Sequence, residues 1–455
     1  MIRHRIFTLL CILLGMASLA GAADAKAEPK KFSGMSFLDN GKIRLGVNLD
    51  IGGAITYLAD STKRVNVINS YDWGRQVQMS FYSGPNPFEP NGKKPSNHWK
   101  KLGWNPIQSG DYKGFRSKVI AHTNDKKTIY VKCIPMQWPL ANEPGECTFE
   151  CRISLEGKTV RVWSRLNNVR SDKTQHPGRS QELPAVYTNG PWHRLMSYVG
   201  DKPFTGDKVT RIPRIRKPWD RFEARECWTA LVNDAGWGLG VWHPGRYHTL
   251  GGFAGKPGAG GPKDNPTGYI SPLHREILDH NIKYEYSYVL ILDTLANIRK
   301  YVYANAKRPT APNYVFKNDR QHWIYRNATD TGWPIKGELH VKLDKHDPQM
   351  IGPVGFWRAS EAPKLYIRAA FKTKATVAHV MWRTGGADAR GLGRNNVAFK
   401  IIGDGKYRTY EIDLSASPKY KGAITQFRFD PVPSGATGDY VKVQSIAFTR
   451  PEKRQ

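Results

Sequence analysis

The chain has 455 residues, 69 Lys+Arg against 39 Asp+Glu, and a formal net charge of +30 at pH 7. This is more chain than one ordinary core accommodates, and aromatics at 11% exclude a disordered tail protein. The basic residues are spread out, without a long Lys/Arg block or a nucleic-acid-binding motif. The field therefore suits an acidic or sulfated polysaccharide, or an anionic surface, rather than nucleic acid.

The chain opens MIRHRIFTLLCILLGMASLAGAADA. Arg3 and Arg5 precede an apolar run, Ile6 to Leu19, and the small residues Ala20, Gly21 and Ala22 follow it. This is the pattern of a secretory signal peptide over residues 1–22, too short and wrongly flanked for a membrane span. No later stretch has the apolar length of a span, so an exported protein (secreted or periplasmic) is expected. Cys11 leaves with the leader, and Cys133, Cys147, Cys151 and Cys227 remain. Cys133 and Cys147 flank a proline-rich turn, so a cross-hairpin disulfide is one of three possible pairings, with Cys151 an alternative partner.

Downstream, helical periodicity is almost absent. Alternating runs bounded by turn residues predict strands at 42–48, 54–58, 77–81, 128–135, 147–155, 159–166, 183–188, 228–233, 238–242 and 284–292. Two long segments, 83–105 and the glycine-rich 253–272, are expected as loops, the second as a wall or lid over a cleft. Residues 306–332 read as a linker that docks across a domain join. Seven more short strands between 338 and 448 predict a second, smaller β-sandwich. The fold class expected is all-β.

The stretch SQELPAVYTNGPWHR, Ser180 to Arg194, gathers an acid, two amides, a phenol, an indole and an imidazole on a Pro/Gly-punctuated segment. Flat rings for the apolar face of a sugar, with amides and an acid for its hydroxyls, suit a sugar-binding surface. Glu182 is the first candidate catalytic carboxylate. For the second, Glu226, Asp72 and Glu146 are candidates, and Glu226 has Arg221 and Arg225 beside it to hold its proton affinity low. Tyr187, His193 and His243 are candidates for proton transfer. Arg75, Gln181, Asn189, Trp192 and His248 are candidates for substrate binding. His243 and His248 sit within six residues of each other, beside Arg246. No metal site and no cofactor is expected, because no zinc, calcium or nucleotide motif occurs.

Three segments carry a family resemblance: GGAITYL (Gly52–Leu58), NVINSYDWGRQVQMS (Asn66–Ser80) and EILDHNIKYEYSYVLIL (Glu276–Leu292). Through them, residues 35–305 resemble the galactose-mutarotase-type β-supersandwich shared by sugar mutarotases, polysaccharide lyases and glycoside hydrolases. The resemblance implies a large antiparallel sandwich with a sugar cleft, and Arg75 facing the sugar. The mutarotase catalytic His and Glu motifs are not recognisable. KYRTYEIDLS (Lys406–Ser415), ITQFRFDPV (Ile424–Val432) and VKVQSIAFTR (Val441–Arg450) give residues 333–450 a resemblance to jelly-roll carbohydrate-binding modules. Together these imply a carbohydrate-active protein, either an enzyme cutting an anionic polysaccharide by hydrolysis or β-elimination, or a non-catalytic glycan-binding protein.

Overall fold

The computed structural model describes residues 31–213, 219–385 and 392–450. The expected leader, 1–22, lies outside them. Among the described residues no helix is long and apolar enough to cross a membrane.

Alternation of side chains builds the strands. In Lys283–Thr294, Tyr284, Tyr286 and Tyr288 turn inward while Lys283, Glu285 and Ser287 turn out; the following VLIL is buried on both faces. The first layer is a ten-stranded antiparallel sheet. Its main path runs Met35–Asp39, Ile43–Asn48, Ala54–Asp60, Val77–Ser80, Arg179–Asn189, Thr267–Glu276, His248–Ala254 and Asp220–Glu223. The second is a nine-stranded sheet with Lys283–Thr294 and Thr159–Asn168 near its middle. Leu45, Val77, Phe81 and Ile270 of one sheet meet Phe149, Val162 and Leu290 of the other in a single core. One helix, Leu295–Asn305, starts where the Thr294 hydroxyl accepts from Asn297 N (3.3 Å). It lays Ile298 and Val302 against Trp228, Ala230 and Ile291 on the outer face of the nine-stranded sheet.

Two six-stranded antiparallel sheets form the second sandwich, filled by Trp323, Trp357, Trp382, Phe371 and Phe429. It begins earlier than the sequence suggested. Asn313–Val315, Ile324–Arg326 and Thr329–Asp330 are strands within it, so 306–332 is largely sandwich and not linker. The glycine-rich segment differs too: His248–Ala254 and Thr267–Glu276 are adjacent strands of the ten-stranded sheet, which shortens the expected loop to its middle. That remaining loop is pinned to the sheet edge. Arg75 donates to Asn265 O (2.6 Å), Asn69 to Asp264 O (2.9 Å) and Lys263 to Ser70 O (3.0 Å). The four described cysteines are buried and unbridged, so the expected disulfide is not made.

The two sandwiches are joined by a buried charge cluster and by two partly buried pairs. Arg320 binds Asp330 and Asp279, each at 2.6 Å, and Gln175 donates to Asp330 (2.6 Å). Arg383 reaches across to Glu223 (2.5 Å), and His322 to Glu276 (2.5 Å).

Candidate functional site

A cleft of about 490 Å³ lies between the outer face of the ten-stranded sheet and the second sandwich. Its floor follows from register. Glu182 pairs with Leu273, Ser180 with Arg275, and Arg221 with Leu250, so with a side-chain period of two these residues share a face. His248 is two residues from Leu250 and joins them. Their neighbours Gln181, His274 and Ile270 turn the other way, toward the inter-sheet core.

A bulge sets the floor. Pro184 has no N–H to give to a ladder, and the register of Arg179–Asn189 shifts between Glu182 and Ala185–Val186 against both neighbours. The shift changes the parity of the strand, so Glu182 and Tyr187, five residues apart, both face outward. Tyr187 packs against Tyr269 with ring centroids 4.4 Å apart and the rings tilted by 43°, beside the lining residues Leu250 and Leu273. The Tyr269 hydroxyl donates to Glu182 Oε2, and Tyr82 bonds the same carboxyl. Burial pushes the Glu182 carboxyl above the usual range, against the pull of these phenols and of Arg221.

Five arginines line the same cleft: Arg179, Arg221, Arg246, Arg275 and Arg383. Arg383 pairs with Glu223. Among the described residues Arg221, Arg246 and Arg275 have no carboxylate within ion-pair distance. Glu182 is the one carboxylate among the described lining residues. His248 lies among the guanidinium groups. Burial, then Arg221, Arg383 and Arg275, pull its imidazole down to about 4. The cleft is thus an electropositive, partly enclosed space with one carboxyl in its floor whose pKa burial raises.

Of the residues picked from sequence, the cleft brings together Glu182 and His248, with Tyr187 beside its lining residues. The others serve elsewhere. Glu226 is fully buried and accepts from Arg299 (2.8 Å), Tyr303 (2.7 Å), Trp228 Nε1 (2.9 Å) and Phe204 N (2.9 Å). Burial raises its pKa but these donors, Arg299 foremost, bring it below the usual range. It fastens the helix, and its expected partners Arg221 and Arg225 are not the ones it uses. His243 is 4% exposed, packed between the sheets against His274 and Tyr286, and does not share a face with Glu182. His193 lies 3.5 Å from Asp234, away from the cleft. Trp192 is core, and Asn189 donates to Asn66 O (2.7 Å). Gln181 is buried and brackets Tyr82, accepting from its N (2.6 Å) and donating to its O (2.9 Å). Arg75 holds the glycine-rich loop. Asp72 caps Gly74 N (2.9 Å), and Glu146 caps Ser171 N (3.1 Å). Among the described residues no group of three or more His, Cys, Asp or Glu is placed to hold a metal ion.

Sequence reading missed Tyr82, Arg179, Arg275, His322 and Arg383 as site residues, and took Arg221 and Arg246 only as neighbours of other candidates. They come from separate strands and from both sandwiches, so no local spacing marks them.

No protein-family model and no curated protein sequence matches the chain. Solved structures similar to it include a galactose mutarotase related enzyme from Lactobacillus acidophilus, with 14% identity and a TM-score of 0.35 over 57% of this chain and 97% of that one. A galactose mutarotase-like protein from Lactobacillus casei is similar at 12% identity and a TM-score of 0.34, over 57% of this chain and 100% of that one. A 4-alpha-glucanotransferase from Thermococcus litoralis is similar at 13% identity and a TM-score of 0.33, over 56% of this chain and 37% of that one. Identities and TM-scores at this level do not carry an activity across.

Proposed function

We propose that the protein is an exported carbohydrate-active enzyme that cleaves an anionic polysaccharide in the cleft between its sandwiches, by β-elimination. One observation carries this reading: a single carboxyl, half-buried Glu182, among five arginines. The family resemblance of the sequence supplies the sugar, and the leader-like first residues supply the export.

The chemistry follows from the groups present. A uronate carboxylate is repelled by acids and welcomed by guanidinium groups, which bind it in a bidentate fork. Neutralising it makes the adjacent C5–H bond easier to ionise. Loss of that proton leaves an electron pair that forms the C4–C5 double bond as the C4–O bond breaks. The leaving oxygen then needs a proton. A carboxyl kept above its usual pKa by burial, and fixed by two phenols, is built to supply one. Hydrolysis by two carboxylates would need a second acid in the cleft.

The test is a panel of uronate-containing and neutral polysaccharides, with products followed by the ultraviolet absorbance of an unsaturated uronate. The wild type is expected to give that absorbance on uronates alone, and Glu182→Gln to bind but not cleave. New reducing ends without the absorbance would mean hydrolysis. Retention of substrate with no product from the wild type would mean a binding protein.

A further inference from the structure

His322 belongs to the second sandwich yet lines the cleft. It and Gln321 both adopt left-handed backbone, φ 65° and 48°, although neither is glycine. Such conformations are unfavourable for residues other than glycine and persist where the surroundings impose them. Here Arg320, locked by Asp279 and Asp330, holds one side, and buried Trp323 holds the other. The strained pair places the imidazole in a defined setting. Nδ1 lies 2.5 Å from Glu276 Oε1, and one Arg246 nitrogen lies 2.6 Å from Nε2 and 3.2 Å from Nδ1, against the side of the ring. The charged Glu276 carboxylate can only accept, so the ring proton is assigned to Nδ1, which donates to it, and Nε2 keeps its lone pair with the Arg246 guanidinium lying over the ring beside it. Glu276 is buried and also accepts from the Tyr284 hydroxyl (2.9 Å), which is backed by His274 (2.7 Å). Burial raises the pKa of Glu276, but His322 and Arg246 bring it below the usual range, so the carboxylate stays charged.

We propose that His322, oriented by Glu276, is the base that removes the substrate proton, so that the second sandwich completes the catalytic site. This rests on reading the cleft as the place of cleavage. The C5 proton passes to Nε2, and the imidazolium formed is stabilised by the carboxylate behind it. The C–H electron pair becomes the double bond, the C4–O bond breaks, and the leaving oxygen takes the Glu182 proton. Water returns a proton from the imidazolium to Glu182. Arg246 covers Nε2 in the free protein, and an anionic group entering the cleft draws that guanidinium away. The base is uncovered by the substrate it acts on.

The experiment uses the full chain and a uronate polysaccharide that the wild type cleaves. His322→Asn keeps a residue tolerant of left-handed backbone, and His322→Gly leaves space for added imidazole. Both are expected to lose about 10²–10⁴-fold in kcat with KM little changed, and imidazole is expected to restore part of the rate to the glycine variant. Glu276→Gln, which weakens support for the imidazolium, is expected to move the acid limb of the kcat/KM profile to lower pH. Other charged or titratable groups facing this ring or its carboxylate are Arg246, Tyr284, His274, His243 and Arg320. Wild-type kcat and pH profile in the asparagine and glycine variants would overturn the proposal while leaving the cleft as the site. A rate loss that accompanies a fall in unfolding temperature and is not rescued by imidazole would make His322 structural and also overturn it. A wild type that cleaves no uronate overturns the reading of the cleft, and this proposal with it.

Discussion

Half-buried Glu182 and fully buried Glu226 are two acids with opposite fates, and their surroundings explain the difference. Glu226 has an arginine and neutral donors around both oxygens, so removing it strands Arg299. Glu226→Ala is expected to destabilise by about 3–5 kcal/mol, the usual cost of breaking a buried pair, as read by chemical denaturation. Glu182 has phenols and no direct ion pair among the described residues, so burial wins and its pKa rises. An acid whose pKa is raised on folding binds more protons in the native state. Its contribution to stability is full at acid pH and is lost as pH rises from the ordinary carboxylate range through the raised value. Glu182→Gln should therefore unfold later than the wild type at neutral pH and lose that advantage on acidification, which thermal unfolding against pH measures. His248 behaves in the reverse sense: its pKa is lowered, and its contribution is lost as pH falls from the ordinary histidine range through about 4. Its ring is expected to titrate near 4 in the free protein and at higher pH once a uronate or sulfate occupies the cleft, by proton NMR.

At the scale of elements, most strands were legible from alternation, as in Lys283–Thr294, because period-two burial is written directly into sequence. What was not legible has identifiable physical causes. Thr267–Glu276 is buried at nearly every position, so it shows no alternation, and its neighbouring glycines read as loop. The bulge at Pro184 decided which side chains of the Ser180–Arg194 stretch face out. Sequence correctly marked that stretch as rich in chemistry, but parity after a bulge is settled only by pairing with neighbours. Glu182 therefore shares the outer face with Tyr187, while Trp192, beyond the end of the strand, packs in the core. The glycine-rich loop offers a test at this scale. A Cβ on Gly190 would lie 1.6 Å from Ala259 O, so the loop docks there because the position is glycine. Gly190→Ala is expected to release residues 255–266 and open them to limited proteolysis, leaving the sheet intact.

At the scale of the whole molecule, the cleft exists because two sandwiches with separate cores are clamped together by Arg320, Arg383 and His322. On the proposed reading of the cleft, charge selects its substrate. Affinity for a uronate oligosaccharide should fall as salt rises, since exposed charges are screened within about 10 Å at 0.1 M ionic strength. Arg383→Gln should weaken uronate binding while leaving neutral sugars unaffected, as measured by calorimetry. A second basic aromatic surface provides the contrast: on the outer face of the nine-stranded sheet Trp163 lies under Arg165 (4.8 Å) and Arg152 (5.9 Å), ring centroid to guanidinium carbon. A crystal structure of the protein with a bound uronate oligosaccharide separates the two surfaces. The account predicts sugar in the inter-sandwich cleft, with a carboxylate on Arg221, Arg275 or Arg383 and the glycosidic oxygen within reach of Glu182. Sugar seated on the Trp163 face with the cleft empty would contradict it.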